Sequence, residues 1–187
     1  VYEDQGEPFR LFAGNCVIQP PEIRHKVLYA SDNIEVIEIG VPAEHITTID
    51  HNMELPTKEF NPEREFKGQK FVHNKAAESE WIEFRIPGFT CRDTTIAENT
   101  KNVAGVQVVR PNGNTIKPTK HNCDILFNFV MEGEMTLTAS GQPPNLLNSG
   151  DAFVIPPDIL TEYSNVSKDL ELLEVSLPGK FKTYYDT

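Results

Sequence analysis

The chain repeats part of its own sequence, and this feature constrains its fold more than any other. Residues 14–43 align without a gap with residues 150–179, at a constant offset of 136. Similarity at a fixed offset indicates that one structural unit is used twice. We call residues 14–43 the first copy and residues 150–179 the second copy; they differ where the first has His25 and the second has Thr161. The identical pairs are Gly14/Gly150, Pro20/Pro156, Pro21/Pro157, Ile23/Ile159, Ser31/Ser167, Glu35/Glu171, Glu38/Glu174 and Pro42/Pro178.

The repeat divides the chain into unequal parts. Strand-like sequence leads from residue 70 to the second copy, whereas 13 residues precede Gly14. We therefore expect the C-terminal half of a first unit (1–42), a connector (43–69) and a complete C-terminal unit (70–187). The chain starts at Val1, and we expect it to be the C-terminal part of a longer protein. The alternative is a short first lobe that borrows strands from a neighbour.

Charge and cysteine content exclude several classes of function. A formal charge of −11 argues against a nucleic-acid or anionic-membrane partner. No apolar run approaches the roughly 18 residues that a membrane-spanning helix needs. The three cysteines, Cys16, Cys91 and Cys123, are odd in number and lack a Cys-x-x-Cys spacing. This pattern predicts a reduced, cytoplasmic protein rather than a disulfide scaffold.

The apolar residues fall in short alternating runs separated by Gly, Pro and Asn. This spacing predicts an all-β sandwich or barrel rather than alternating strands and helices. In the first unit, the runs HKVLYA and IEVIEIGV belong to about four strands expected within residues 1–40. The connector is charged and rich in proline, so we expect it to pack along the surface; it is compatible with a short helix around residues 43–50.

The motifs of the repeat resemble those of the cupin superfamily. Cupins combine a first motif, His-x-His followed by Glu and Gly, with a second motif of Gly, Pro-x-Gly and His. The matching residues are His121, Gly133, Gly150, Asp151, Pro156 and Pro157 in the complete unit, and Gly14, Pro20, Pro21 and His25 in the first copy. The resemblance implies a double-stranded β-helix, or jelly-roll barrel, preceded by a partial second cupin unit. The chain is thus similar to the back portion of a bicupin.

The departures from the cupin pattern bear on metal binding. Cupins commonly hold a divalent metal through three His and one Glu, but here Cys123, Leu126 and Thr161 stand at three of these positions. Only His121 is kept, so the resemblance implies a degenerate site and no cofactor in the complete barrel. His121 with Cys123 would be a weak two-ligand site for zinc or copper. His25 is either a ligand of Fe, Mn, Ni or Zn in an intact first cupin or an ordinary strand histidine.

Other candidate residues have simpler interpretations. His45, Asp50 and His51 lie on the charged connector, where we expect them to be solvated. We expect His73 to contact the surface, and Cys16 and Cys91 to be small packed residues without an activating cation. The aromatic residues expected in the core are Trp81, Phe84, Phe127, Phe129 and Phe153. The sequence contains no Ser-His-Asp set, phosphate-binding loop or dinucleotide fingerprint.

Two functions follow from these patterns. Loss of three ligands favours a non-catalytic barrel that binds a small ligand or serves as an assembly module, with a pocket formed by His121, Cys123, Thr161 and Tyr163. The alternative is a bicupin metalloenzyme, a dioxygenase or isomerase acting on a small organic acid or sugar-like molecule, whose metal lies in the first cupin. In either case half a barrel cannot bury its apolar faces alone. We therefore predict a homodimer in which the N-terminal strands extend or cover a sheet of the partner barrel.

Overall fold

The regular structure of the chain is almost entirely β, as the sequence predicts. The computed structural model describes residues 1–114 and 116–185, and no helix in this part has the length and apolar character to cross a bilayer. Its helical elements are a 3-10 turn at Ala76–Glu78 and a single-turn helix, α1 (Ile96–Asn99). The strands are β1 (Cys16–Ile18), β2 (Glu65–Phe66), β3 (Gln69–Lys70), β4 (Val72–Asn74), β5 (Ile82–Glu83), β6 (Phe89–Asp93), β7 (Gly105–Pro111), β8 (Thr119–His121), β9 (Ile125–Glu132), β10 (Glu134–Ala139), β11 (Asn145–Asn148), β12 (Ala152–Ile155), β13 (Thr161–Ser164), β14 (Glu171–Leu177) and β15 (Thr183–Tyr185).

The complete unit consists of two antiparallel sheets whose strand order is that of a jelly roll. One sheet has the order β12-β9-β14-β7-β6-β5, and the other has the order β11-β10-β13-β8-β15. Counted from β7 to β14, the first, eighth, third and sixth strands share one sheet. The second, seventh, fourth and fifth share the other. This arrangement of eight strands is the double-stranded β-helix, so the predicted fold class is confirmed.

The core lies between the two sheets and follows the alternation of each strand. On β9, Leu126, Asn128 and Val130 are buried and point inward, while the residues between them are more exposed. Most of the aromatic residues predicted to be in the core are at least partly buried. Trp81 is the exception, because it is 37% exposed and its ring lies 4.4 Å from the guanidinium carbon of Arg110. The prediction for Trp81 is wrong.

Strands β9 and β10 are joined by a tight hairpin turn, where the sequence Met131-Glu132-Gly133-Glu134 predicts one. Gly133 connects the two strands with φ of 75°, a backbone conformation that favours glycine. A Cβ at this position would also lie 2.7 Å from backbone atoms of Leu170. The glycine is therefore required both by the turn and by the close approach of the chain that leads into β14.

A smaller N-terminal body packs beside the barrel. Strand β1 pairs with β4, and Tyr2 forms an isolated bridge with His25. Tyr2, Ile23 and Phe66 form its small core. Buried Arg92 on β6 donates hydrogen bonds of 2.6 Å to the Gly14 carbonyl and 2.6 Å to Asn74 Oδ1. These bonds attach the start of the first copy to the barrel.

Two predictions for the N-terminal part are wrong. Residues 26–60 contain neither the strands expected for HKVLYA and IEVIEIGV nor the helix considered for residues 43–50. The physical reason is visible in the second copy, where β14 is held between β7 and β9. Residues 35–41 match β14 in sequence but have no strand beside them in residues 1–114 and 116–185. Without neighbouring strands, their backbone N–H and C=O groups have no partners for the hydrogen bonds of a sheet.

Candidate functional site

A row of polar residues crosses the inner face of the six-stranded sheet. Glu174 on β14 lies opposite Gln107 on β7 and Asn128 on β9, and Gln107 in turn lies opposite Asp93 on β6. Residues directly opposite each other share one face of a sheet. Glu174 and Asn128 are 3% and 1% exposed, so this end of the row lies in the barrel interior, whereas Asp93 at the other end is exposed.

The buried Glu174 forms an ion pair with Arg85, which follows β5. Arg85 Nε donates to Glu174 Oε1 at 3.0 Å, and a second, shorter contact joins Nη2 to Oε2. Burial alone would lower the pKa of Arg85, but the adjacent Glu174 carboxylate outweighs it, and the net effect is a raised pKa. Two aromatic rings, Phe84 and Phe181, lie 5.0 and 5.2 Å from the guanidinium carbon. The interior therefore holds one positive and one negative charge that neutralise each other.

Three buried donors near this ion pair have no hydrogen-bond partner among the residues described: His121 Nε2, Asn128 Nδ2 and Tyr163 Oη. His121 Nδ1 accepts a hydrogen bond of 3.0 Å from the Cys123 amide, so the neutral ring carries its proton on Nε2. Burial and the nearby Arg85 charge lower the pKa of His121 and outweigh the smaller opposing effects of Glu174 and the Ile155 carbonyl, which favours this neutral form. The Ile155 carbonyl lies near the ring, but Nε2 does not reach hydrogen-bond geometry with it. Burial raises the pKa of Tyr163, which keeps its hydroxyl proton.

Unpaired donors of this kind are costly. A buried polar group without a partner costs about 1–3 kcal/mol, and native interiors contain few of them. Only one other such atom, Gln5 Nε2, occurs in the part of the chain that the structure describes, and it lies in the N-terminal body. Three in one barrel interior indicate that acceptors, supplied by buried water or by a bound molecule, complete this site.

A cavity of about 130 Å³ reaches the polar row from the side of α1. Its lining includes Asp93, Gln107, Glu174, Ser176, Lys180 and Phe181. A larger depression of about 330 Å³ lies elsewhere, between Lys120, Ser140, Asp158 and Tyr185. The three unpaired donors line neither cavity, but the smaller one is lined by Glu174, which lies opposite Asn128 in the sheet. We therefore assign the candidate site to the smaller cavity and to the polar interior next to it.

The structure brings together some of the residues predicted to form the pocket. His121, Thr161 and Tyr163 are buried on neighbouring strands of the five-stranded sheet, β8 and β13, which pair through Thr119 and Thr161. These two strands lie side by side in one sheet and do not face each other across the barrel. The Thr161 hydroxyl donates to the Thr119 carbonyl at 3.2 Å, so it is already used.

Cys123 is placed differently from the other three. It follows β8, and its sulfur lies 3.0 Å from the Ile125 carbonyl and 3.1 Å from the Leu177 carbonyl. Burial raises the pKa of its thiol. Cys123 is therefore a packed thiol bonded to backbone, and its contribution to the site is the amide that fixes the His121 ring.

The donor set of the barrel does not fit a divalent metal. Within residues 1–114 and 116–185, no three His, Cys, Asp or Glu side chains are placed to share an ion. Leu126, at the position of the expected carboxylate, is fully buried in the core. The two histidines named as metal candidates, His25 and His121, are not brought together, because the His25 ring stacks on Tyr2 at 5.4 Å in the N-terminal body.

The remaining histidines lie outside the barrel interior. His45, Asp50 and His51 are exposed, as predicted, and Asp50 pairs with Arg24 at 3.1 Å. His73 lies on β4 and stacks on Phe9 at 4.5 Å. None of them approaches the polar row.

Sequence reasoning missed four residues of the site: Arg85, Gln107, Asn128 and Glu174. For Asn128 a signal was present, because it occupies an inward position between Leu126 and Val130 on a strand that otherwise alternates regularly. Glu174 likewise interrupts the apolar run Leu172-Leu173-Glu174-Val175 of β14. A polar residue at an inward position is a candidate site residue.

Comparison with known proteins yields structural neighbours only. No protein-family model matches the chain, and no curated protein matches it. The solved structures that resemble it are cupin-like proteins. KdgF from Halomonas sp. is 18% identical, with a TM-score of 0.48 over 57% of this chain and 94% of that one. The polyketide cyclase RemF from Streptomyces resistomycificus is 17% identical, with a TM-score of 0.49 over 60% and 83%. A cupin-like protein from Thermotoga maritima is 19% identical, with a TM-score of 0.43 over 52% and 75%.

Proposed function

We propose that the complete barrel binds a small, uncharged molecule that bears hydrogen-bond acceptors, and that it does so without a metal. The observation that carries this proposal is the set of three buried donors without partners, His121 Nε2, Asn128 Nδ2 and Tyr163 Oη. A carbonyl, ether or hydroxyl oxygen would satisfy them. Hydrogen-bond donors that lack a partner in a closed interior can bind oxygen atoms of this kind, which are acceptors.

The charge balance of the site supports an uncharged ligand. The Glu174 carboxylate already neutralises Arg85, and both side chains are largely buried, while Asp93 and Lys180 on the cavity wall carry opposite charges. His121 and Tyr163 are neutral, for the reasons given above. An anionic or cationic ligand would therefore place an uncompensated charge in a desolvated site, which is strongly unfavourable.

In this proposal the ligand enters through the cavity beside α1, which reaches Glu174 but not the three donors themselves, so the cavity bounds the part of the ligand that it holds. Its volume of about 130 Å³ corresponds to about four water molecules, each of which takes up about 30 Å³ in the liquid. Gln107 and Ser176 on its wall add polar contacts. The ligand is accordingly a molecule of few heavy atoms or one end of a longer molecule.

We also propose that the chain belongs to the cupin superfamily and has the two-unit arrangement of a bicupin. The jelly-roll strand order and the repeated motif support this placement. So does the backbone of the two copies: Gly14 and Gly150 have φ of 80° and 96°, and Glu22 and Asp158 have φ of 68° and 62°. Equivalent positions of the repeat thus take the same left-handed conformation.

A matched pair of probes tests the proposed ligand class. Acetamide and acetate have nearly the same shape but differ in charge, and binding of each to the full chain is measured by calorimetry or by ligand-observed NMR. We expect binding of acetamide and none of acetate at the same concentration. Equal binding of both, or binding of neither, would overturn the proposal.

Two interior variants and one surface control test where acetamide binds. Asn128→Leu and Tyr163→Phe each remove one unpaired donor and should weaken acetamide binding by about tenfold, the effect of roughly 1.4 kcal/mol. Tyr184→Phe, on an exposed tyrosine of β15, is the matched control and should bind as the parent does. Unchanged affinity in both interior variants would place the ligand elsewhere.

A further inference from the structure

An aromatic side chain lies where the cavity beside α1 meets the barrel interior. Phe181, in the segment between β14 and β15, is half-buried and lines the cavity. Its ring centroid also lies 5.8 Å from that of His121, edge to face, and 5.2 Å from the guanidinium carbon of Arg85. Phe181 therefore borders both the cavity and the polar interior, which holds the unpaired donors that the cavity does not reach.

Phe181 can move more easily than Glu174, which also borders the cavity and the interior. Glu174 accepts two hydrogen bonds from Arg85, and its displacement would leave a buried charge without a counter-ion. The phenyl ring makes no hydrogen bond that has to be broken. Its rotation gives up only apolar contact and the weaker attraction between an aromatic ring and a cation.

The backbone on both sides of Phe181 is fixed, which confines the movement to the side chain. The Lys180 amide donates to Asn102 Oδ1 at 2.6 Å, and the Lys182 amide donates to Asn122 Oδ1 at 2.8 Å. The Asn122 amide donates in return to the Lys182 carbonyl at 3.2 Å. These bonds attach the segment to the turn after α1 and to the end of β8. Access to the interior therefore requires the rotation of one ring and not the release of a loop.

We infer that Phe181 is the gate of the donor site and selects ligands by size. The inference deepens the proposed function, on which its ligand-selecting part rests. With the ring in place, bulk water is kept from His121 and the cavity ends at the ring. A compact acceptor group passes after a small rotation of the ring, whereas a branched group requires the ring to leave Arg85. The gate therefore favours ligands that present a slender polar end to the interior.

Exchange of the His121 ring proton with water tests the gate without any ligand. By NMR of the full chain labelled with ¹⁵N, the Nε2 proton should exchange about tenfold faster in Phe181→Ala than in the parent, the effect of roughly 1.4 kcal/mol. Phe181→Leu preserves more of the packing and should change the rate in the same direction. Lys182→Ala is the control, because Lys182 is exposed and its bonds to Asn122 are made by its backbone. Unchanged exchange in both Phe181 variants, or equally fast exchange in the control, would overturn the inference.

Binding of two amides of different size tests the selection of ligands. Acetamide and trimethylacetamide present the same acceptor, but the second bears three more methyl groups. The parent should favour acetamide, and Phe181→Ala should raise the affinity for trimethylacetamide relative to acetamide about tenfold. An unchanged ratio of affinities would refute the selection by size. If neither amide binds to the parent or to the variant while exchange is faster in Phe181→Ala, the proposed function fails together with the size selection, and the gate over His121 stands.

Discussion

The two copies of the repeat have similar sequences but differ in structure along their length. They agree at the start: β1 in the first copy corresponds to β12 in the second, and the same turn positions are left-handed in both. They diverge at the end, where residues 171–177 form a central strand and residues 35–41 form none. The turns depend on local sequence, which the copies share. The strand depends on neighbours, which only the second copy has.

The same difference separates two equivalent glutamates. Glu174 is buried on β14 and paired with Arg85. Glu38, at the same position of the repeat, lies in the exposed residues 33–41, which we call the open segment. One residue type at one position of the repeat is thus a buried charge in one copy and a surface residue in the other. Matched variants in the two copies measure how much the neighbouring strands contribute to the free energy of unfolding.

The largest effect on stability is expected from substitution of Glu174, with Glu38 as the matched comparison. Glu174→Gln should lower the free energy of unfolding by about 3–5 kcal/mol, because it leaves Arg85 as a buried charge without a counter-ion. Glu38→Gln should change it by less than about 0.5 kcal/mol. Denaturant unfolding monitored by fluorescence and circular dichroism compares the pair. Similar losses in both variants would contradict the assigned environments.

A second comparison uses apolar residues of the same strand position. Leu172 is 1% exposed in the core, so Leu172→Ala should cost about 2–5 kcal/mol through lost burial and the cavity left behind. Its counterpart Val36 is exposed, and Val36→Ala should cost less than about 0.5 kcal/mol in the monomer. Measurement at low protein concentration keeps association out of the comparison. A large loss for Val36→Ala would mean that the open segment is packed within one chain.

Replacement of Tyr163 should separate stability from binding. Tyr163→Phe removes a buried hydroxyl that has no partner, so the ligand-free protein should become more stable by about 1 kcal/mol. The same change should weaken acetamide binding, as argued above. Thermal unfolding with and without acetamide reports both effects. A destabilised ligand-free variant would show that the hydroxyl is already satisfied.

The smallest predicted effect is on the pH dependence of stability. Burial lowers the pKa of His121, so the unfolded chain binds a proton more readily than the folded chain does. Stability is then fully present above the unfolded pKa of about 6.5 and declines as the pH falls through it. Burial also lowers the pKa of His73, which adds a slope of the same sign. His121→Asn should reduce the slope of stability against pH between 7 and 5. An unchanged slope would assign the dependence to His73 alone.

Sequence reasoning predicted the barrel better than its site. The all-β class and the hairpin at Gly133 follow from alternation and turn residues, which are local signals, whereas the jelly-roll barrel follows from the resemblance of the motifs to those of cupins. The Arg85–Glu174 pair joins residues 89 positions apart, and no local pattern predicts which buried glutamate meets which arginine. The unpaired donors are harder still to predict from sequence, since a donor is recognised as unpaired only when all the side chains around it are known. The strand expected at residues 35–41 is absent because its residue pattern forms a strand only where other strands flank it, and the pattern does not show whether they do.

The central claim is that the second unit has an interior donor site for an uncharged acceptor, and that the first copy lacks one. NMR of ¹⁵N-labelled histidine ring signals in the full chain tests this directly, with His25 as the internal comparison for His121. Acetamide should shift the Nε2–H signal of His121 downfield as a hydrogen bond forms and leave His25 unchanged, while acetate should shift neither. An unaffected His121 signal in the presence of acetamide, or equal shifts at His25 and His121, would contradict the account.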